Sequence, residues 1–343
     1  DGNIITLTVP LIDCYDSNYT DNNTTIVVAN NVGRLKQCGV ENIRIESPAQ
    51  AVNHSKALYY ALRINGEDCW AKDINAMETM ESIGIGGRRI TLQQVNVIRK
   101  ALHQGASKPA EFAPNGGQIL LDRCSVEGDN IWFAALGAGQ TGPIVFLNCT
   151  FKGNGRIEGH QRWSTGILLD NCSLPNGGID FKNRGSMGSG HGWGTAWSVV
   201  WNCTAKSYVN QLPPGTYNWV IGSKGESTPL RRPFNQSGPT LPVGIFDSHN
   251  ITVTPQSLYL AQLKERLGNT ALQNIGYGLS EQNPIPKETD YIFQGGMQAD
   301  ASLRNRDFNA IHEYMRSLGW DYSEHPNTVS YTHLRAHETE LHL

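Results

Sequence analysis

One local pattern recurs along this 343-residue chain and limits its fold more than any other feature: a few apolar residues, one or two polar ones, Cys or Asn, then a second short apolar stretch. The clearest copies are Ile119-Leu-Leu-Asp-Arg-Cys124-Ser-Val, Ile144-Val-Phe-Leu-Asn-Cys149-Thr-Phe, Ile167-Leu-Leu-Asp-Asn-Cys172-Ser-Leu and Val199-Val-Trp-Asn-Cys203-Thr-Ala. Fainter copies centre on Cys14, Asn42, Cys69 and Asn96, and a later one on Asn250, so the successive spacings are 28, 27, 27, 28, 25, 23, 31 and 47. A solenoid coil of three short strands takes roughly twenty-odd residues. The first seven gaps therefore each fit one coil, and the last fits two. The pattern predicts an all-β chain, a single-stranded right-handed parallel β-helix in which equivalent positions of successive coils stack about 4.8 Å apart and like residues form ladders.

Composition agrees with a turn-rich β protein. Glycine reaches 36 residues while charged residues are only 17%. A net charge of −3 gives no global basic field, so nucleic acid is not an expected partner, and no apolar run approaches a membrane span. Seven cysteines cannot all pair, and no close Cys pair has zinc-finger spacing. Six of them are expected on the ladder as small, reduced, buried residues. The N-x-S/T triplets starting at Asn148, Asn171 and Asn202 read as turn residues.

The organisation expected is a β-helix over 1–254, a helical or irregular C-terminal cap over 255–327 and a tail over 328–343. Thr254 caps an expected helix with Pro255 at its first position, running through Leu258, Ala261, Leu263 and Leu267 to Gly268. A second helix is expected from Phe308 to Leu318. The stretch Val329 to Thr339 resembles the translation of a sequencing-library adapter, so its histidines, with His342, carry no metal-site reading.

Long gaps between ladder positions must extrude loops, and loops on a rigid scaffold are where function concentrates. The longest gaps, and the loop before them, contain Gly159-His-Gln-Arg-Trp163, Asp180-Phe-Lys-Asn-Arg184, Gly188-Ser-Gly-His-Gly-Trp193 and Gln211-Leu-Pro-Pro-Gly-Thr-Tyr-Asn-Trp219. Stacking brings these into one surface. His160, Arg162, Lys182, Arg184 and His191 are the candidate catalytic residues; Trp163, Asp180, Asn183, Trp193, Trp197, Asn218 and Trp219 are the candidate substrate-binding residues. A lone Trp usually packs and a lone Arg is usually solvated, so the concentration of these residue types carries the argument rather than any one of them. The glycine-rich stretch lacks the spacing of a nucleotide-binding loop.

Over residues 1–254 the coils resemble the pectate-lyase-like β-helix superfamily, and the blocks Asn183 to Trp193 and Pro213 to Trp219 are similar to those of uncharacterised bacterial secreted β-helix proteins. The resemblance implies a secreted, periplasmic or cell-surface protein that meets a polysaccharide or oligosaccharide; members are lyases, hydrolases, esterases or binding proteins. The expected reaction is β-elimination on a uronate-containing polysaccharide, with Arg162 and Arg184 neutralising the carboxylate and Lys182 or His191 as base. No cofactor is expected; Ca2+, which pectate lyases often use, is the alternative, although no dense acidic cluster is evident to hold it. A hydrolase would need two facing carboxyls, for which Glu158, Asp170, Asp180 and Asp247 are available and Glu158 with Asp180 the favoured pair. A third reading is a non-catalytic carbohydrate-binding β-helix, its tryptophans stacking on sugar rings.

Because the tail reads as adapter sequence, truncation before Val329 is expected to leave the melting temperature nearly unchanged; a large drop in a thermal melt would show that the tail packs on the fold.

Overall fold

The computed structural model describes residues 33–49, 60–102, 108–229 and 240–278. They form strands from Gly39–Glu46 to Ile245–Asp247, followed by one helix, Leu258–Asn274. The strands pair in parallel and wind into a right-handed β-solenoid of about seven turns. The chain divides into two compact units, Asp1–Tyr259 and Leu260–Leu343. The expected Cys14 copy, the helix at Phe308 to Leu318 and the adapter-like tail lie outside the described residues.

Each turn has three faces, and register explains the core. On the first face Val40, Ala71, Leu92, Leu121, Phe146, Leu169, Val200, Val220 and Phe246 succeed one another as direct strand partners. On the third face Leu62, Ile83, Phe112, Ala134, Ile157, Ile179 and Tyr208 do the same. Alternation along a strand sends these side chains inward. Most are fully buried, each contributing roughly 1.5–3 kcal/mol of apolar burial for the larger aliphatic side chains.

The corner between the first and second faces is turned by one residue in the left-handed conformation: Asn42, Asp73, Gln94, Arg123, Asn148, Asn171 or Asn202. Asn and Asp tolerate that conformation best, which accounts for much of the asparagine in the repeat. Asn171 donates from Nδ2 to Asn148 Oδ1 at 2.7 Å, a hydrogen bond that runs along the stack.

Immediately after this corner come Cys124, Cys149, Cys172 and Cys203, unpaired and at most 2% exposed. They occupy equivalent places in successive turns, since Thr150, Ser173 and Thr204 donate backbone N–H groups to the carbonyls of Cys124, Cys149 and Cys172 respectively. Each thiol faces two backbone carbonyls, for example Cys149 with Leu121 at 3.3 Å and Leu147 at 3.5 Å.

The fainter copies need correction. Ile43, Ile74 and Val95 stand in the cysteine ladder's register, so Asn42 lies one residue before it and Asn96 one residue after. Cys69 follows the left-handed Asp68 at a different corner, between the third and first faces, where its partners are Ile90 and Ile119. Both corners create the same small buried slot after a left-handed residue, and a small or β-branched apolar side chain fills it. The 47-residue gap before Asn250 does hold two turns, with rungs Asn218–Ile221 and Ile245–Asp247.

The helix begins at Leu258 rather than at Pro255, because its capping groups come from elsewhere in the chain. Asp170 accepts from Ser257 Oγ at 2.8 Å and from the backbone N–H groups of Leu258 and Tyr259 at 3.3 and 2.6 Å. Gly268, the expected end, breaks the helix with φ 79° and ψ −174°, and helical structure resumes to Asn274.

The third-to-first corner is a single left-handed residue in early turns, at Asp68, Arg89 and Gln118. From residue 137 onward it opens into loops: 137–143, 160–166, 182–197 and 211–217. Most of the candidate residues from the sequence lie on two of these, 160–166 and 182–197, whereas Asp180, Asn218 and Trp219 lie on the adjoining strands.

In the tight early turns Gly66, Gly87 and Gly116 are stacked partners, Gly87 has φ +98°, and a Cβ on it would collide with the Gly66 carbonyl. Gly87→Val is therefore expected to destabilise the fold by about 3 kcal/mol or more, read as a lower denaturation midpoint; an unchanged midpoint would mean that the stack is looser than its geometry.

Candidate functional site

On the third face, Ile157 and Ile179 turn inward, so Arg156, Glu158 and Asp180 turn outward. Arg156 pairs in register with Trp132 on the turn before and with Gly178 on the turn after, and Asp180 pairs with Glu158. Gly178 makes room for the Arg156 guanidinium, since a Cβ there would lie 2.5 Å from its terminal atoms. The following residues, His160, Lys182 and Arg184, carry the charged surface into the opening loops.

These residues form a layered ion cluster. Glu158 and Asp180 are 0% and 1% exposed, although both are on the outer face, because cations cover them. Arg156 pairs with Asp180; Lys182 Nζ lies 2.5 Å from Asp180 Oδ2 and 3.6 Å from Glu158 Oε2. Arg184 Nη1 lies 2.9 Å from Glu158 Oε1, which also meets His160 Nδ1. Burial alone would push the Asp180 carboxyl up, but Lys182 and Arg156 outweigh it and hold the group below its ordinary range.

Above the carboxylates sits a histidine pair. The rings of His160 and His191 are 4.8 Å apart, and Trp132 meets His160 edge-on at 5.8 Å. Arg184 Nη1 lies 2.6 and 2.9 Å from the two nitrogens of His160 and donates to the His160 carbonyl at 3.1 Å. Burial, then the charges of Arg184, His160 and Arg162, hold the pKa of His191 below the ordinary histidine range, which favours its neutral form. Its Nδ1 is buried without a hydrogen bond among the described residues.

The site thus brings together four of the five candidate catalytic residues, His160, Lys182, Arg184 and His191, with Asp180 beneath them. Arg162 meets the site through its backbone, whose N–H donates to the His191 carbonyl at 2.9 Å; its side chain turns elsewhere, Nη2 donating to Ser189 Oγ at 2.5 Å and to the Ser189 carbonyl at 3.0 Å, bracing the glycine-rich loop. Asn183 is structural, accepting from Gly185 N at 2.7 Å and pairing with Trp193 across the loop. Trp163 N donates to the Trp193 carbonyl, in line with the small sheet formed by Ser164–Thr165 and Thr195–Ala196. Asn218 is fully buried, accepting from Ser198 N at 3.1 Å. Trp197 and Trp219 form a separate aromatic group with Tyr217, at ring separations of 6.0 and 5.9 Å.

Three participants were missed by sequence reasoning: Lys108, Trp132 and Arg156. None lies in a long gap. The signal that would have found Arg156 is its place two residues before Glu158 on one strand, which puts both on one face. Of the other carboxyl candidates, Asp170 caps the helix and Asp247 lies on the first face's last rung, so neither faces Glu158. Among the described residues no group of three or more His, Cys, Asp and Glu side chains is arranged to hold a metal ion, and no helix is long and apolar enough to cross a membrane.

Comparison with protein-family models, with curated proteins and with solved structures gave no significant match to this chain.

Asp180→Asn leaves Arg156 and Lys182 without their buried partner and is expected to cost about 3–5 kcal/mol at neutral pH. Because the Asp180 pKa is lowered on folding, its contribution is present above the usual 3.8 and lost as pH falls through the folded value. Urea melts from neutral to strongly acidic pH should show the wild type losing its advantage over the variant in acid; a constant gap would rule out the ionised Asp180 as its source.

Proposed function

We propose that this protein cleaves a uronate-containing polysaccharide by β-elimination, using the surface built from His160, Lys182, Arg184 and His191. The observation that carries the reading is a histidine pair with ring centres 4.8 Å apart, amid more cations than carboxylates, with both carboxylates buried beneath. Such a surface offers a base and positive potential to an anionic sugar.

In the reaction the base takes the proton on C5, α to the sugar carboxylate. The freed electron pair becomes the C4–C5 double bond, the C4–O bond breaks, and the leaving oxygen is protonated. His191, whose neutral form its surroundings favour, suits the base; Lys182 suits stabilisation of the carboxylate as it takes up charge. Arg184, 5% exposed and bonded to Glu158 and His160, acts as a positioning residue for the histidine pair.

The same geometry weighs against hydrolysis by Glu158 and Asp180. Neither reaches solvent, and Asp180, held ionised by its cations, is unsuited to serve as an acid. A binding-only role has one observation in its favour, the exposed aromatics Trp197 and Tyr217 beside Trp219, which suit sugar stacking.

Incubation with a panel of uronate polymers should give products with the ultraviolet absorbance of an unsaturated uronate, and His191→Ala should slow their formation about 100- to 10,000-fold. The base form is needed, so the rate should rise with pH through the lowered His191 pKa and then level off. Reducing ends without new absorbance would favour hydrolysis; retention on a polymer column without cleavage would favour binding only.

A further inference from the structure

One cation of the cluster makes no ion pair or hydrogen bond among the described residues. Lys108 precedes the strand Ala110–Asp122, and its Nζ lies 5.5 Å from the centre of the Trp132 ring. Among the described residues it makes no ion pair or hydrogen bond, whereas the neighbouring carboxylates are already taken. Asp180 is held by Arg156 and Lys182, and Glu158 by Arg184, His160 and Lys182. The local charge is therefore four cations, Lys108, Arg156, Lys182 and Arg184, against two buried carboxylates. Burial and then the charge of Arg156 push the Lys108 ammonium below its usual pKa, outweighing the more distant pull of Glu158 and Asp180.

Trp132 gives this cation a setting. Its indole is partly exposed, with Lys108 at 5.5 Å, the Arg184 guanidinium at 5.6 Å and the His160 ring edge-on at 5.8 Å. A partly exposed indole with an ammonium over its ring, one that makes no ion pair among the described residues, matches a sugar acid, which has an apolar ring face and a carboxylate at its rim. We propose that Lys108 and Trp132 form a binding subsite for one acidic sugar of the polymer, the indole taking the ring face and the ammonium the carboxylate. This rests on the polyuronate reading above and adds a specificity element: the polymer must be charged at the residue that lies on Trp132, next to the histidine pair. A neutral or esterified sugar at that position leaves the ammonium buried without a partner.

Binding separates the subsite from the chemistry. Titration calorimetry of the full chain is run with oligomers of galacturonate, glucuronate and mannuronate, each compared with its methyl ester. Lys108→Met keeps the aliphatic stem and removes the charge; Lys108→Arg keeps the charge. At least one acidic oligomer should bind the wild type more tightly than its ester. Lys108→Met should weaken acid binding about tenfold, leave ester binding unchanged and lower the salt dependence, and Lys108→Arg should restore most of the loss. Equal affinity of wild type and Lys108→Met for every acidic oligomer would overturn the subsite, as would failure of the wild type to bind any of them. Charge-selective binding lost in Lys108→Met, with no unsaturated product formed, would overturn elimination and leave the subsite standing.

Discussion

Every feature of this molecule answers to in-register parallel stacking. Because each turn lies about 4.8 Å above the last, a side chain meets its counterpart in the neighbouring turn before it meets anything else. Inside, this favours like over like: aliphatic and aromatic residues repeat at one position for turn after turn, as from Val40 to Phe246. Outside, the same rule penalises like charges. Glu158 and Asp180 are direct strand partners, so two carboxylates are forced side by side. They remain compatible with folding only because Lys182 bridges them and Arg156, Arg184 and His160 cover the rest. The cationic surface follows from that constraint, since burying two adjacent carboxylates requires an overlay of cations.

The fold was legible because stacking writes itself into the sequence as repetition. Cys124, Cys149, Cys172 and Cys203 repeat with their flanking residues and align as expected. Legibility failed where the slot accepts more than one residue type. Ile74 and Val95 fill the place of the cysteine in earlier turns, and Cys69 fills a similar slot at another corner, so matching by residue identity shifted the register there. The start of the helix was misjudged for a different reason: its cap is Asp170, far away in sequence, and no local pattern announces a partner supplied by another turn.

The candidate site was partly legible for the same reasons. Gap length reveals where loops emerge, and so Lys182, Arg184 and His191 could be found together; His160 lies in the shortest gap and was found by the polar and aromatic content of the loop before them. It says nothing of residues on regular strands. Trp132 and Arg156 belong to ordinary rungs and become part of the site only through register with the rungs above them. Arg162 shows the converse, a charged residue in the right loop whose side chain is spent on holding Ser189.

The position of the site along the stack has a physical cause. Where the third-to-first corner is a single left-handed residue, the stacked glycines Gly66, Gly87 and Gly116 leave no room for a side chain, much less a ligand. A polar cluster needs both a regular face, to fix its charges at rung spacing, and loops, to lift other side chains above that face. Corners that open into loops while the third face continues supply both, and the cluster uses two of them, at the rungs of Arg156–Gly159 and Ser173–Phe181. There the strands hold the buried carboxylates in place and the loop from Lys182 to Trp193 lays Arg184 and His191 over them. The strands below and the loop above give His191 a partly buried, cation-rich setting, and that setting lowers its pKa and favours its neutral form.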